Sequence, residues 1–371
     1  MSRKLASVQK IKAIKPIEGA DKIEIVQVLN WDCVAKKGEY QVGDEVIYFE
    51  IDSLLPDIPM LEWLKGSSWS QKLNKYKIST HKFRGQISQG LVMPIKDLEE
   101  LDRQIHNREE CVPIAYTEGT DLTEILNVEK YEPPVSNGSL GDLIHHEWYI
   151  PKTDEERIQV CAADVLPTYM NSEQGDWYSS IKLDGTSCTA GLFDDAFLIG
   201  GRNQFYKDEN MYTTTVNKYF KNGAKEKFEN YKAINGVYVA FQGELCGPGI
   251  QGNKLGLKEK EWFIFNAFVS KTGKNGSYVK CDLLYMLKLC EEFGLKHVPL
   301  IDAEDKFKFD PEETVDNTVE KLLKYVDDIK YRKYFTDASP NQIAEGVVFR
   351  TEDMTHSFKV VSNKFLLKGG E

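Results

Sequence analysis

Apolar and polar positions alternate along residues 22–29, 31–37, 44–51 and 83–95, and the apolar ones are rich in β-branched and aromatic side chains. Such runs predict strands with one buried face. Gly19, Gly38, Gly43 and Pro56 punctuate them and supply turns. From about residue 149 the pattern becomes mixed. Short apolar runs at 178–182, 196–200, 237–245, 262–269, 346–351 and 357–361 predict further strands, whereas 211–231, 282–293 and 315–329 have helical spacing. In the second of these helices Leu283, Leu287, Cys290 and Phe293 share a face, the pattern of core packing. Between the two regions, residues 97–132 are acidic and run into Pro133-Pro134 and Ser136-Asn137-Gly138-Ser139, the composition of a connecting segment. The expected organisation is a β-rich domain over 1–97, a linker over 98–148 and a mixed α/β domain over 149–371, an α+β protein overall.

A chain of 371 residues has room for two or three domains, and 41% hydrophobic with 28% charged content excludes a wholly disordered one. No apolar run approaches the ~20 residues needed to cross a bilayer, and none follows the Met-Ser-Arg-Lys start, so an intracellular chain with no membrane partner is expected. The seven cysteines are odd in number, scattered and never spaced Cys-x-x-Cys, which argues for free thiols rather than disulfides or structural zinc. His81, His145 and His146 lack partners at metal-ligand spacing and read as structural or surface residues.

The net charge of −11 argues against a nucleic-acid partner, but it hides a local reversal. From Trp63 to Lys96 there is no Asp or Glu, while Lys65, Lys72, Lys75, Lys77, Lys82, Arg84 and Lys96 alternate with Trp63, Trp69, Tyr76 and Phe83. Cations interleaved with flat rings suit a phosphate backbone with stacked bases. Lys72, Lys75, Lys77, Lys82 and Arg84 are therefore candidate nucleic-acid contacts, a solvated loop being the plain alternative. Short strands with long basic connections point to a small barrel of the OB type, a common oligonucleotide-binding scaffold.

The most informative string is Ile181-Lys182-Leu183-Asp184-Gly185-Thr186-Ser187, where one predicted strand ends and another begins. A lysine leaving a strand into a tight turn presents its amine to a pocket. It becomes nucleophilic when desolvation or a neighbouring cation lowers its ordinary pKa of ~10.4. Alone the string fits any surface turn, but ordered company follows: Gly201-Arg202-Asn203, the run from Gln242 through Glu244 to Gln251, Trp262 to Asn266, Glu345-Gly346-Val347-Val348, and Ser357 to Val361. Each delivers a polar or aromatic group from a strand or strand end, which suits a cleft between antiparallel sheets. A nucleotide attached to Lys182 would need a cation at its α-phosphate, carboxylates for a divalent metal, partners for ribose hydroxyls and a ring for the base. Lys359, Asp184 with Glu345, Arg202 with Glu244, and Phe265 could supply these in turn. Alternation places Phe263 and Phe265 on one face, so a core role is the alternative for Phe265. Lys152, Asp154, Glu155 and Arg157 fit substrate binding and a solvated turn equally.

This ordered set resembles the covalent nucleotidyltransferases, the superfamily of polynucleotide ligases and messenger-RNA capping enzymes. In that resemblance Lys182-Leu183-Asp184-Gly185 is similar to motif I with its adenylylated lysine, Arg202 to the ribose contact of motif Ia, and Glu244 to the ribose-binding glutamate of motif III. Phe265 is similar to the base-stacking ring of motif IIIa, Glu345 to the metal-site glutamate of motif IV, and Lys359 to the first motif V lysine on the α-phosphate. Gly243 to Gln251 is most similar to nick-sealing ATP-dependent RNA ligases. A β-rich module ahead of the transferase, with the strings 83–90 and 150–159, resembles the Naegleria-type subgroup. The resemblance implies an N-terminal OB-like β-barrel followed by a mixed α/β nucleotidyltransferase domain with a nucleotide cleft between antiparallel sheets. It also implies ATP and a divalent metal, Mg or Mn, as cofactors, and a monomer acting on RNA or an RNA-containing duplex with 3′-OH and 5′-phosphate ends. A GTP-dependent capping-type guanylyltransferase and a non-catalytic RNA-binding protein are the alternatives. Two departures stand out. Lys359 is followed by Val360 and Val361 where the family commonly has Lys-x-Lys, with Lys364 a candidate replacement, and only twelve residues follow Lys359, so no C-terminal domain is expected.

Overall fold

The computed structural model describes residues 3–131, 144–145, 149–150, 153–170, 177–202, 204–206, 208–220, 223–301, 310 and 312–368. Pro133, Pro134, the 136–139 turn, His146, Pro151, Lys152 and Asn203 lie outside the described residues. The chain forms two compact units, Met1–Pro134 and Val135–Gly370.

In the first unit the strands are β1 (Ala6–Pro16), β2 (Ile23–Val28), β3 (Trp31–Lys36), β4 (Glu45–Phe49), β5 (Ser53–Leu55), β6 (Trp69–Ser70), β7 (Lys75–Lys77), β8 (Thr80–Phe83), β9 (Gln86–Gln89), β10 (Leu91–Pro94) and β11 (Glu129–Lys130). They build an antiparallel sheet in the order β10-β4-β1-β2-β3, a second sheet in the order β11-β5-β7-β6, and the β8–β9 hairpin. The long strand β1 was not expected from the sequence. Its first four residues are all buried, so alternation is lost, and a bulge between Ile11 and Ala13 lets it pair with β4 through one half and β2 through the other. The run expected as one strand over 83–95 is broken twice, at Arg84-Gly85 and at Gly90, all three with positive φ. Two residues with positive φ make the tight turn between β8 and β9, and no Cβ fits at Gly90, where it would stand 2.4 Å from the Tyr48 ring.

Much of the acidic stretch expected as a linker is part of this unit. Helix Leu98–Ile105 buries Leu98 and Leu101, and Leu122, Leu126 and Val128 join them in a core with Val8, Ile47, Phe49, Leu55 and Tyr76. Backbone hydrogen bonds between Val8 and Thr120 (3.0 Å) and between Leu122 and Ala6 (2.8 Å) fasten the stretch to β1. Acidic residues at the surface mask apolar ones that recur at helical spacing beneath them.

The second unit holds β12 (Ile144–His145), β13 (Trp177–Lys182), β14 (Thr186–Phe193), β15 (Ala196–Gly200), β16 (Gln204–Tyr206), β17 (Tyr238–Cys246), β18 (Glu261–Ser270), β19 (Val279–Lys280), β20 (Lys296–His297), β21 (Gly346–Thr351) and β22 (Ser357–Val361). The larger sheet runs β12-β16-β15-β14-β17-β18, with β19 and β20 both on β18; the smaller is β13-β21-β22. Helices Met211–Asn217, Ala224–Asn235 and Leu283–Phe293 cover one face of the larger sheet through Val216, Phe228, Leu289 and Phe293. Helices Ile158–Met170 and Val315–Asp327 cover the smaller through Ala162, Leu166, Leu322 and Val326, which meet Val347, Phe349, Phe358 and Val360. Successive strand side chains point to opposite faces. Lys182, Arg350 and Lys359 therefore lie on the face of the smaller sheet away from its helices, as Gln242 and Glu244 do on the larger. The single helix expected over 211–231 is two, because the chain turns at Gly223 with φ 98°.

Candidate active site

The site is built at strand ends. β13 ends at Lys182, which stands opposite Gly346, the first residue of β21, so Glu345 is the residue just before that strand. The Lys182 ammonium donates to the Glu345 carboxylate, in a pair whose side chains are 27% and 6% exposed. Asp184, at the turn into β14, accepts from Lys254, whose ammonium also lies 4.4 Å from the Phe365 ring centroid. A glycine follows each of these carboxylates for a steric reason. A Cβ at Gly185 would stand 2.5 Å from the Leu245 carbonyl oxygen, and one at Gly346 would stand 2.2 Å from that of Val360. Only glycine allows such close approach.

Glu244 lies beside the two pairs and is half-buried. Burial pushes its carboxyl up to about 8; Lys182 opposes the rise, Glu345 and Asp184 add to it, and a hydrogen bond from the Gly185 N–H opposes it. The fold thus brings together four expected site residues, Lys182, Asp184, Glu244 and Glu345, from three places in the sequence. Among the described residues no three Asp, Glu, His or Cys side chains converge as a ready-made metal cage. Hard oxygen donors in ones and twos, completed by phosphate and water, are nevertheless how Mg²⁺ is commonly held, and Asp184 and Glu345 fit that mode.

The remaining expected residues surround this cluster. Arg202 holds both oxygens of Asp154 through its terminal nitrogens. Phe265 is half-buried, and its position has a specific cause. Asn266 stands opposite Gln242 but Ile264 opposite Gly243, so Phe265 is the extra residue of a β-bulge, and its partly exposed side chain packs against the core cluster that also holds Phe263. The Arg350 guanidinium lies 6.0 Å from that ring and donates to the Phe265 carbonyl (3.3 Å). Lys359 donates its backbone N–H to the Glu156 carbonyl (2.7 Å) and forms a bridge with Arg157.

That last contact belongs to a strap over Thr153–Arg157, and it decides against the solvated turn. Thr153 joins Gln242 and Asn266, Asp154 holds Arg202, and Glu155 pairs with Arg350 at 2.9 Å with both side chains about a tenth exposed. Arg157 is 3% exposed. Beside Arg350, burial and that cation push the Lys280 ammonium down to about 8. Lys364 does not enter the cleft cluster: it pairs with Asp328 at 2.9 Å on the surface. Val361, two residues after Lys359, is buried opposite Gly346, and it is Lys254 that brings a second ammonium to the carboxylates. Lys254 and Arg350 escaped sequence reading, the first because it follows a string of turn residues, the second because an arginine ending an apolar strand reads as a solvent-facing end.

In the first unit the basic residues divide. Lys75 pairs with Glu129 at 2.5 Å, and Lys77 lies 3.5 Å from the Tyr131 ring centroid. Lys72 and Lys82 are exposed, and Arg84, also exposed, donates to the Gly19 carbonyl (3.0 Å) beside the 41% exposed Phe83 at the hairpin tip.

Comparison with known proteins follows these two units. An OB-fold domain family matches residues 5–95, and the RNA ligase family matches residues 175–366. No curated protein matches the chain. Among solved structures, a glutamate-to-alanine variant of Naegleria gruberi RNA ligase with AMP and Mn is 29% identical, covers 100% of both chains and superposes with a TM-score of 0.78. A lysine-to-alanine variant with ATP and Mn is 28% identical over 99% of this chain and 100% of that one (TM-score 0.78), and the same ligase with pyrophosphate is 29% identical over 99% of each (0.76). With an OB-fold domain ahead of antiparallel sheets that carry the lysine and its carboxylates, the chain belongs to the RNA ligase family.

Proposed function

We propose that this protein is an ATP-dependent RNA ligase whose Lys182 becomes covalently adenylylated and that it seals 3′-OH/5′-phosphate nicks in duplexes containing RNA. The observation that carries the reading is the Lys182–Glu345 pair, set beside Asp184 and Glu244 in a chain of this family. In the first step the Lys182 amine attacks the α-phosphorus of ATP; the N–P bond forms as the bond to pyrophosphate breaks, and the ammonium proton leaves to solvent. The AMP then passes to a 5′-phosphate, and a 3′-hydroxyl displaces it to form the phosphodiester.

Each residue has a physical part in this scheme. Glu345 holds the amine in place until nucleotide arrives. Asp184 and Glu345 would hold a divalent ion, which when bound neutralises phosphate charge and favours the neutral amine. Lys359 and Lys254 supply positive charge for the phosphates, Arg202 and Glu244 contact the ribose, and Phe265 stacks on the base. Positioning and charge neutralisation carry most of such phosphoryl transfers. The first unit binds the nucleic acid, with Lys72, Lys82 and Arg84 more exposed than Lys75 and Lys77, whose ammonium groups meet Glu129 and the Tyr131 ring. The protein acts as a monomer.

The test is incubation of the purified protein with α-labelled ATP, and separately GTP, with divalent metal, followed by sealing of a nicked duplex and of unpaired ends. Label from ATP that vanishes in Lys182→Ala, with the nick preferred, supports the reading. Label from GTP alone moves the protein to the capping class.

A further inference from the structure

The polar group at the centre of the site belongs to Tyr331, a residue with no motif around it. A hydroxyl has one proton to give and two lone pairs to receive. The Tyr331 phenol uses all three on the backbone of the two carboxylate turns. It donates to the Lys182 carbonyl (2.9 Å) and accepts from the N–H groups of Asp184 (3.0 Å) and Glu345 (3.2 Å). Its side chain is 0% exposed.

The place matters because the sheet ends there. Lys182 opposite Gly346 is the last rung between β13 and β21, and beyond it the two chains diverge towards Asp184 and Glu345, the latter still tied through its carbonyl to the Ser362 N–H (2.9 Å) but not to the Asp184 turn. Tyr331 is itself held firmly. Its N–H bonds the Gln342 carbonyl (3.1 Å), that of Ala344 bonds the Ile329 carbonyl (2.9 Å), and Lys330 bridges to Ile343. One folded-back loop therefore carries both the phenol and Glu345. Burial, with the Glu345 charge adding, pushes the phenol well above its ordinary range, so it remains a donor.

We infer that the Tyr331 hydroxyl is a positioning group that sets the separation of the Lys182 amine from the Asp184 and Glu345 carboxylates for adenylyl transfer. The inference rests on Lys182 being the adenylylated residue. Misplacing reacting groups by about 1 Å costs on the order of a hundredfold in rate, whereas loosening the surrounding packing costs mainly stability.

The experiment is single-turnover adenylylation of the full-length protein across ATP concentration and pH, for the wild type, Tyr331→Phe and Phe335→Leu. Phe335 packs edge-on against Tyr331 with ring centroids 6.2 Å apart, so its variant loosens the same core and keeps the hydroxyl. Tyr331→Phe is expected to lower the maximal rate roughly ten- to a hundredfold, with half-saturation by ATP within about twofold and a displaced pH profile. Phe335→Leu is expected to lower the melting temperature while keeping rate and profile. A Tyr331→Phe rate within twofold of wild type, or an equal loss in Phe335→Leu, overturns the inference. An unlabelled wild type overturns instead the assignment of Lys182.

Discussion

The cleft of the second unit and the basic segment of the first both looked, in sequence, like clusters of charge, and the fold treats them in opposite ways. In the cleft the charges are largely withdrawn from water and paired with close carboxylates: Lys182 with Glu345, Lys254 with Asp184, Arg350 with Glu155. Along the basic segment the cations stand on short strands, a turn and a hairpin tip, and those with partners meet an exposed carboxylate, an aromatic ring or a backbone carbonyl. Charge in low dielectric acts strongly over short distances and tolerates no error in partner; charge in water acts weakly and is screened by salt. The first arrangement suits chemistry at one atom. The second suits a long polyanion that has no single geometry.

The comparison is open to direct tests. The largest effect is expected at its centre: Lys182→Ala abolishes covalent labelling by ATP, measured as label retained after denaturation, and surviving label would break the assignment. Next, Glu155→Ala leaves the Arg350 guanidinium buried without its carboxylate, a loss of about 3–5 kcal/mol. Chemical denaturation measures it, and a change below 1 kcal/mol would mean the pair is more solvated than its burial indicates.

A third test uses pH. Glu244 has its carboxyl raised from 4.5 to about 8. Between those values the folded protein keeps a proton that the unfolded chain has released. Stability of the metal-free protein therefore falls as pH rises through this window, and below it the contribution is fully retained. Glu244→Gln should flatten that part of the stability profile, and an unchanged slope would assign it to other groups.

The smallest effects belong to the first unit. Lys82→Ala and Arg84→Ala should spare adenylylation and weaken nick sealing, each reducing the dependence of log affinity on log salt by roughly one unit for a duplex. Lys75→Ala, already paired with Glu129, should do less. Equal salt slopes for all three variants would remove the distinction between paired and available cations.

Legibility in the sequence followed the same division. The strand carrying Lys182 was visible because its apolar run ends at the reactive string, and Glu345 because an unbroken apolar strand follows it. Strand β1 was not, since burial on both sides erases the alternation that reveals a strand. The helix Ile158–Met170 was hidden by an internal Pro167, and the break at Gly223 by apolar spacing that continues across it. The acidic stretch after residue 97 read as a linker because its charges outnumber the few leucines that bury it.

The sequence by itself determined the order of the chemical groups, the α+β class and the family resemblance, because each depends on residues close together in the chain. Pairing was decided by tertiary structure alone. The Lys182–Glu345 contact spans 163 residues, Lys254–Asp184 spans 70, and Tyr331 reaches 149 residues back to Lys182. So was the raised pKa of Glu244, because a carboxyl's pKa is set by burial and by neighbours that only the fold assembles.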